Sequence, residues 1–306
     1  MSVGEHEMRH DLLVYDSDDG FARYVALFVE EGVEAGQPVL VVTDSHLRTV
    51  LTDTLSASDA AAVTFLDRDQ VYTRPEAALA AYDATLRTLL GDGAEAIRVY
   101  GELPFCREPE EQIAWQRYEA IVNHVFARQP VWVTCGYNAR LLPPHVVDDA
   151  WRTHREVHAH GWRENPHYES AGTVVRSLAP AADALPGLRS LPLAGDVRTF
   201  RRLLARELAR DGVAGTAATQ MVTASVAVLV NAERHGGGLR GLRAGRAGDR
   251  FVCEISDGGR GLDDPFAGYM PPRRVTDPVG LWSARQLTTR LDLLSSDSGL
   301  TVRLWV

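Results

Sequence analysis

Residues 10–44 have the sequence HDLLVYDSDDGFARYVALFVEEGVEAGQPVLVVTD, which predicts a strand, a helix and a second strand. The runs at 10–16 and 38–44 are short and mostly apolar, as in buried strands. Between them, apolar residues recur at helical spacing from Phe21 to Val29, and Gly36 is a typical stop signal. Two strands joined by a helix predict a parallel pair whose sheet is covered on both faces.

The same alternation continues as far as residue 138. Further strands are expected at 62–67, 96–103 and 130–138, and further helices at 47–55, 74–93 and 108–128. The first part of the chain is therefore an α/β unit with a mainly parallel sheet and helices on both faces. Ligands of such sheets bind at the carboxyl ends of the strands.

A different pattern follows residue 165. Residues 171–195 are rich in Ala, Pro, Gly and Ser, which predicts a linker. The predicted elements after it are helices at 197–212, 216–236 and 277–290, a hairpin with a Gly-rich turn at 245–248, and a closing hairpin at 291–306. Helices on one face of an antiparallel sheet make an α/β sandwich. We therefore expect domains at 1–165 and 196–306, joined by a linker at 166–195.

The amino-acid composition argues against several classes of function. The net charge of -9 argues against direct nucleic-acid binding, which needs a basic surface. The 306 residues include no lysine, so a Walker-type phosphate loop is excluded. No apolar run is long enough for a signal peptide or a membrane span, and we expect a cytoplasmic protein without membrane contact.

Three short motifs follow one another in the second unit at intervals of about 25 residues. Asn231 lies near a helix end in NAERHG, and its amide oxygen can bind Mg²⁺. Asp257 ends a strand in EISDGGRG, where its carboxylate can accept a hydrogen bond from an adenine amino group. Gly280 in VGLW begins a helix, and helix N-termini favour phosphate. The polar, Pro- and Gly-rich stretch 262–278 is suited to a mobile lid.

In order and spacing these motifs resemble the GHKL (Bergerat) ATPase domains, and most closely the anti-sigma-factor serine kinases. The resemblance covers about residues 196–306. It implies ATP and Mg²⁺ as cofactors, with Asn231 as the magnesium ligand. The binding residues that it implies are Asn231, His235, Asp257, Gly259, Gly261, Gly280 and Leu281.

Two positions depart from the family pattern. Ala227 stands one helical turn before Asn231, where the family carries a glutamate proposed as general base. Pro278 replaces a glycine and has no N–H to offer a phosphate. Three interpretations remain open: a slow kinase, an ATP-binding switch without turnover, and a degenerate domain that only holds a partner. A fourth interpretation is that Glu233 or Glu254 replaces the missing general base.

The resemblance also implies partners. An active domain would phosphorylate a serine or threonine of a STAS-type anti-anti-sigma protein, and an inactive one could sequester that protein or a sigma factor. Related kinase domains pair, so a homodimer is also expected.

The first unit resembles the MEDS domain, a sensory module, over about residues 8–160. The stretches that carry this resemblance include VYGELPF (99–105), CGYN (135–138) and THREVH (153–158). It implies a RecA- or KaiC-type fold without its phosphate loop, and an unidentified small-molecule ligand.

Several polar residues of the first unit are expected near strand ends. They are His10, Glu102, Tyr118, Glu119, Asn123, Cys135 and Tyr137. They predict either a sensory ligand pocket or a buried hydrogen-bond network that holds helix 108–128 to the sheet. A metal site from Cys106, Cys135, His145 and His154 is a third interpretation, although their spacing matches no recognised ligand pattern.

Overall fold

The computed structural model describes residues 7–104, 108–159, 161–193, 196–271 and 280–306. The chain divides into two compact units, Met1–Val175 and Arg176–Val306. Among the described residues, no helix combines the length and the apolar character needed to cross a membrane.

The first unit alternates strands and helices along the chain. Its elements are β1 (Arg9–Tyr15), α1 (Asp18–Glu34), β2 (Val39–Thr43), α2 (Ser45–Thr54), α3 (Ala57–Ala62), β3 (Val63–Asp67), α4 (Arg68–Val71), α5 (Pro75–Gly91), β4 (Ile97–Gly101), α6 (Pro109–Val125), β5 (Val131–Asn138), α7 (Pro144–Trp151), β6 (Glu156–His158) and β7 (Trp162–Glu164). Helix α8 (Ala171–Ser177) follows them at the boundary between the units.

The seven strands form one sheet in the order β3-β2-β4-β5-β1-β6-β7. All neighbouring pairs are parallel except β6 and β7. Side chains of successive residues of β1 point to opposite faces of the sheet. Leu13 and Tyr15 pack in the same core as α1, whereas Leu12 packs in the core of α7. The predicted parallel sheet with helices on both faces is confirmed.

The second unit is a two-layer structure. Its elements are β8 (Leu188–Ser190), α9 (Val197–Arg210), α10 (Gly215–His235), β9 (Leu239–Ala247), β10 (Arg250–Asp257), α11 (Gly280–Leu287), β11 (Arg290–Ser296) and β12 (Gly299–Trp305). The strands form a separate antiparallel sheet in the order β11-β12-β10-β9-β8.

One face of this sheet packs against the helices. Phe200, Leu204 and Leu208 recur every fourth residue along α9 and are fully buried. They share one core with Met221 of α10 and with Phe251 of β10. The α/β sandwich expected from the sequence is therefore present.

Two local features differ from the sequence predictions. The turn of the β9–β10 hairpin is at Gly248 and Asp249 rather than at 245–248. Gly245 lies within β9, where it pairs with β10 on one side and β8 on the other, and a Cβ atom on Gly245 would overlap the backbone of Gly187. Strand β8 itself lies inside the stretch predicted as linker. Three residues flanked by Pro and Gly carry too little periodicity to predict a strand.

Candidate functional site

Asn231 lies near the end of α10, beside the start of α11. The buried residues of α10 follow the helical period through Ala224, Val228 and Ala232, and Asn231 is half-buried at the edge of this stripe. At Gly280, the first residue of α11, a Cβ atom would lie only 2.6 Å from Oδ1 of Asn231. Only a glycine allows the backbone of α11 to come this close to the amide.

Asp257 ends strand β10, and backbone donors hold its carboxylate. Oδ1 accepts hydrogen bonds from Gly259 N at 3.1 Å and from Leu300 N at 2.9 Å. Gly236 follows α10 and packs against the carboxylate, so that a Cβ atom at position 236 would overlap it. A Cβ atom on Gly259 would in turn lie 3.1 Å from Cα of Gly236. These approaches join the helix that bears the asparagine to the strand that bears the aspartate.

A cavity of about 110 Å³ lies at this junction. Its lining residues are Val228, Asn231, Ala232, His235, Gly236, Ile255, Asp257, Gly259, Gly261, Leu262, Leu281, Leu300 and Val302. They include six of the seven binding residues predicted from the sequence, and the seventh, Gly280, touches Asn231. The volume is well below the roughly 300–1,000 Å³ of typical ligand pockets, so the cavity suits one flat ring of a ligand.

The expected general-base position holds a methyl group. Ala227 is half-buried on α10, one turn before Asn231. Glu233 is exposed and accepts a hydrogen bond from the backbone at the start of β9. Glu254 is buried between two arginines, one on β9 and one on β12, at 3.1 and 2.8 Å. Both carboxylates that could substitute for the missing base are therefore engaged in other contacts.

Some predicted features fall outside the described residues. They are Pro278, the part of the expected lid from 272 to 278, and Cys106.

In the first unit, Glu102 follows β4 at the carboxyl edge of the parallel sheet. Its Oε1 accepts hydrogen bonds from the hydroxyls of Tyr15 and Tyr100, the latter at 3.0 Å. Its Oε2 accepts one from Thr43 at 3.1 Å. Burial raises the pKa of Glu102, although the three hydroxyls favour the ionised form.

Glu102 borders a cavity of about 540 Å³ at this edge. The lining residues are Tyr15, Asp16, Ser17, Asp18, Asp19, Asp44, His46, Leu47, Arg68, Glu102, Leu103, Gly136, Asn138, Arg140, Leu141 and Leu142. Five carboxyl groups face two arginines and one histidine, so the lining disfavours phosphate. The volume lies within the range of small-molecule sites.

The other residues of the predicted sensory pocket surround a separate point, between α6 and the sheet. His10 Nδ1 lies 3.1 Å from Asn123 Oδ1. His10 Nε2 lies 3.2 Å from Cys135 Sγ and 3.2 Å from Glu119 Oε2. The hydroxyl of Tyr137 donates to Glu119 Oε1 at 3.3 Å.

His154 completes this buried cluster. Its Nδ1 donates to the carbonyl of Ala150 at 2.7 Å, and its Nε2 lies 3.6 Å from Glu119 Oε2. Burial lowers the pKa of His154 to about 4. Burial and the neighbouring Glu119 raise the pKa of the Cys135 thiol. Burial also opposes ionisation of Glu119, but its contacts with the two imidazoles outweigh this effect and its pKa is lowered.

Tyr118 lies apart from these polar contacts, in a buried aromatic group. Its ring centroid is 6.3 Å from that of Tyr72 and 5.4 Å from that of Trp115. The hydroxyls of Tyr72 and Tyr82 lie 2.7 Å apart. Tyr72 and Tyr82 could not be predicted as neighbours of Tyr118, because the spacing of residues along one helix does not indicate what packs against it from another segment.

Apart from Tyr118, the expected set of polar groups therefore divides between two places. Glu102 borders the cavity at the strand ends, whereas His10, Glu119, Asn123 and Cys135 are hydrogen-bonded in the interior. Of the four residues of the metal site predicted from the sequence, Cys106 lies outside the described residues, and the other three do not form one group. His145 is exposed, with Nε2 3.4 Å from Gln112 Oε1. Cys135 and His154 do meet, but with His10 and Glu119.

Comparison with known proteins bears on the first unit. No curated protein matches the chain. Residues 9–155 match the family described as MEDS, the MEthanogen/methylotroph, DcmR Sensory domain. The N-terminal part of this chain is thus similar to a sensory domain.

Proposed function

We propose that the protein is a signalling regulator in which a sensory unit for a small organic ligand is joined to a unit that binds Mg-ATP. The sensory part is supported by the MEDS match over residues 9–155. The cavity of about 540 Å³ at the strand ends is the ligand site that we assign to it. Its excess of carboxyl groups favours a neutral or cationic compound over a phosphorylated one.

One observation carries the ATP-binding part of the proposal. Three motifs that are far apart in sequence converge on one cavity, and glycines make each approach sterically feasible. Asp257 Oδ2 offers an acceptor for an adenine amino group, because Oδ1 is already occupied by backbone donors. Asn231 Oδ1 supplies the kind of hard oxygen that Mg²⁺ binds. The Asp257 and Asn231 oxygens together fit an adenine nucleotide with bound Mg²⁺.

Ala227 limits what the bound nucleotide would do. Phosphoryl transfer depends mainly on positioning and on the metal ion, so a site without the carboxylate could still transfer phosphate slowly. We propose a slow serine/threonine kinase or an ATP-dependent switch that acts on a STAS-type partner. A non-catalytic module that sequesters such a partner or a sigma factor is the alternative, and Ala227 is the observation that favours it.

The test is calorimetric titration of the purified full-length protein with Mg-ATP, followed by chromatography of the recovered nucleotide. Saturable binding supports the proposal; intact ATP then indicates a switch, and ADP indicates turnover. Failure to bind in folded protein would overturn the ATP-binding part and leave the sequestering module.

Two substitutions locate the nucleotide. Asp257→Asn should weaken ATP binding by about 10- to 100-fold, since it replaces a charged acceptor by an amide. Asp249→Asn is the matched control, because Asp249 is exposed in the turn between β9 and β10, at the opposite end of β10 from Asp257. Asn231→Ala should remove the dependence of binding on magnesium. Unchanged affinity in Asp257→Asn would place the nucleotide elsewhere.

A further inference from the structure

The buried cluster of the first unit consists of four side chains that commonly bind metals. They come from four segments: His10 from β1, Glu119 from α6, Cys135 from β5, and His154 from the turn between α7 and β6. None of the four is more than 7% exposed. One ligand atom of each lies within 4.8 Å of all the others.

Four of the six distances between the ligand atoms are close to those around a single ion, and the other two are within 4.8 Å. His10 Nε2 is 3.2 Å from both Cys135 Sγ and Glu119 Oε2. Glu119 Oε2 is 3.6 Å from Cys135 Sγ and 3.6 Å from His154 Nε2. A tetrahedral ion with bonds of 2.0–2.3 Å needs edges of about 3.3–3.8 Å.

The surrounding hydrogen bonds fix which nitrogen of each imidazole faces inward. The amide nitrogen of Asn123 donates to the carbonyls of Thr153 and Glu119, so its oxygen must accept from His10 Nδ1. The Ala150 carbonyl can only accept, so His154 Nδ1 carries the proton there. Both rings therefore direct an Nε2 lone pair into the cluster in their neutral forms. An outer hydrogen bond on the second nitrogen is the usual support of a metal-bound histidine.

Hydrogen bonds alone leave this cluster short of donors. Two imidazole lone pairs and Glu119 Oε2 converge, and among the four side chains the Cys135 thiol supplies the one proton. The Tyr137 hydroxyl donates to Glu119 Oε1, on the other side of the carboxylate. Within the described part of the chain, His154 Nε2 is buried without a hydrogen-bond partner. An extra proton on one imidazole would relieve one of these contacts, whereas a single cation would satisfy all four groups.

We propose that His10, Glu119, Cys135 and His154 bind one zinc-type divalent transition-metal ion in the interior of the sensory unit. Two imidazoles, one thiolate and one carboxylate are typical zinc ligands, and four protein ligands make a closed site. The ion would tie α6 and the α7–β6 turn to adjacent strands of the sheet. Nothing in the chemistry of the second unit depends on it.

Cobalt is the probe that tests the site. Full-length protein without an affinity tag is dialysed against a chelator, titrated with Co²⁺ and followed by absorption, and the Co²⁺ is then displaced with Zn²⁺. We expect one ion per chain and a thiolate-to-cobalt charge-transfer band. Folded protein that takes up no Co²⁺ would overturn the proposal and leave a purely hydrogen-bonded cluster.

Cysteine variants identify the ligand. Cys135→Ser should abolish the charge-transfer band, whereas Cys106→Ser and Cys253→Ser should retain it, since Cys253 is buried in the core of the second unit. A band that survives in Cys135→Ser would also overturn the proposal. If Cys135→Ser does not fold, a band that is retained in both Cys106→Ser and Cys253→Ser identifies Cys135 as the ligand by elimination.

Asn123 tests the geometry without removing a ligand. Asn123→Ala frees the Nδ1 side of His10, and loss of such an outer hydrogen bond lowers metal affinity by about 10- to 100-fold. Thermal unfolding with and without Zn²⁺ gives a second measurement. The metal should raise the midpoint of the wild type and raise that of the variant less at equal free metal. An equal affinity in both proteins would contradict the assigned role of Asn123.

Discussion

At the scale of single residues, position 227 distinguishes nucleotide binding from nucleotide turnover in the function that we propose. Ala227 is half-buried one turn before Asn231, where the ATPase family that the second unit resembles carries a glutamate. Adenine contacts and magnesium do not need that carboxylate, but activation of a hydroxyl or a water molecule does.

We therefore expect Ala227→Glu to raise the rate of ADP formation, by up to about 100-fold, because a positioned base typically contributes 10²–10⁴-fold. The rate is measured on full-length protein saturated with Mg-ATP, with Ala227→Gln as the control for size and polarity. An unchanged rate in a variant that still binds ATP would show that more than the base has been lost.

The raised pKa of Glu102 makes the stability of the folded protein depend on pH. Its pKa is raised above the ordinary value of 4.5, mainly by burial, so the folded state favours the protonated carboxyl. The contribution of protonated Glu102 to the stability of the folded state is therefore fully present below about pH 4.5. It is lost as the pH rises through the pKa that Glu102 has in the folded state. A glutamine could accept from the two tyrosines with its oxygen and donate to Thr43 with its nitrogen.

We expect Glu102→Gln to gain stability relative to the wild type as the pH rises from about 4.5 to 7. Urea unfolding of both proteins at several pH values measures this difference. Glu95→Gln, at an exposed position, is the control. A difference that shrinks with rising pH would contradict the sign of the shift.

At the scale of elements, buried charges hold the segment before β8 against the second sheet. Arg303 of β12 donates to the carbonyls of Ala181 and Asp183, at 3.1 and 2.6 Å. The same guanidinium pairs with Glu254, 2.8 Å away, and is 5% exposed. A stretch that looks like a plain linker in sequence is thus bound along its backbone.

Replacing the guanidinium should release this segment. We expect Arg303→Met to destabilise the second unit by about 2–4 kcal/mol, because it leaves two carbonyls and one buried carboxylate with fewer donors. Hydrogen exchange at 188–190 should accelerate. Arg201→Met, exposed on α9, should change neither quantity by a comparable amount. Unaltered exchange at β8 in Arg303→Met would contradict the assigned role of Arg303.

Long elements could be predicted from sequence more readily than short ones. Helix α9 buries every fourth residue and β2 is apolar throughout, so both follow from spacing within one segment. Strand β8 depends on pairing with β9, and Gly245 is required by that pairing rather than by a turn. Contacts between distant segments decide such cases.

At the scale of the whole molecule, the two units have separate sheets and separate cores. We therefore expect two unfolding transitions in calorimetry, each assigned by hydrogen exchange. Mg-ATP at about 100 times its Kd should stabilise only the transition of the second unit, by about 2.7 kcal/mol. An equal shift of both transitions, or a single transition, would show that the units unfold together.

The sequence by itself determined the α/β class, the division into a parallel and an antiparallel sheet, and the three motifs around Asn231, Asp257 and Gly280. These depend on hydrophobic period and on the positions of glycine, which are properties of single segments. That the motifs share one cavity was expected from their family resemblance, and the packing of Gly236 and Gly280 supplies its steric reason.

Only the tertiary structure decided which polar residues of the first unit belong together. His10 and Cys135 are 125 positions apart and meet because β1 lies beside β5 in the sheet order. His154 reaches them because β6 pairs with the other edge of β1. Glu102, which belongs to the same pocket in the sequence prediction, instead borders the cavity at the strand ends. Strand order and register set these neighbours, and neither is encoded in the spacing within one segment.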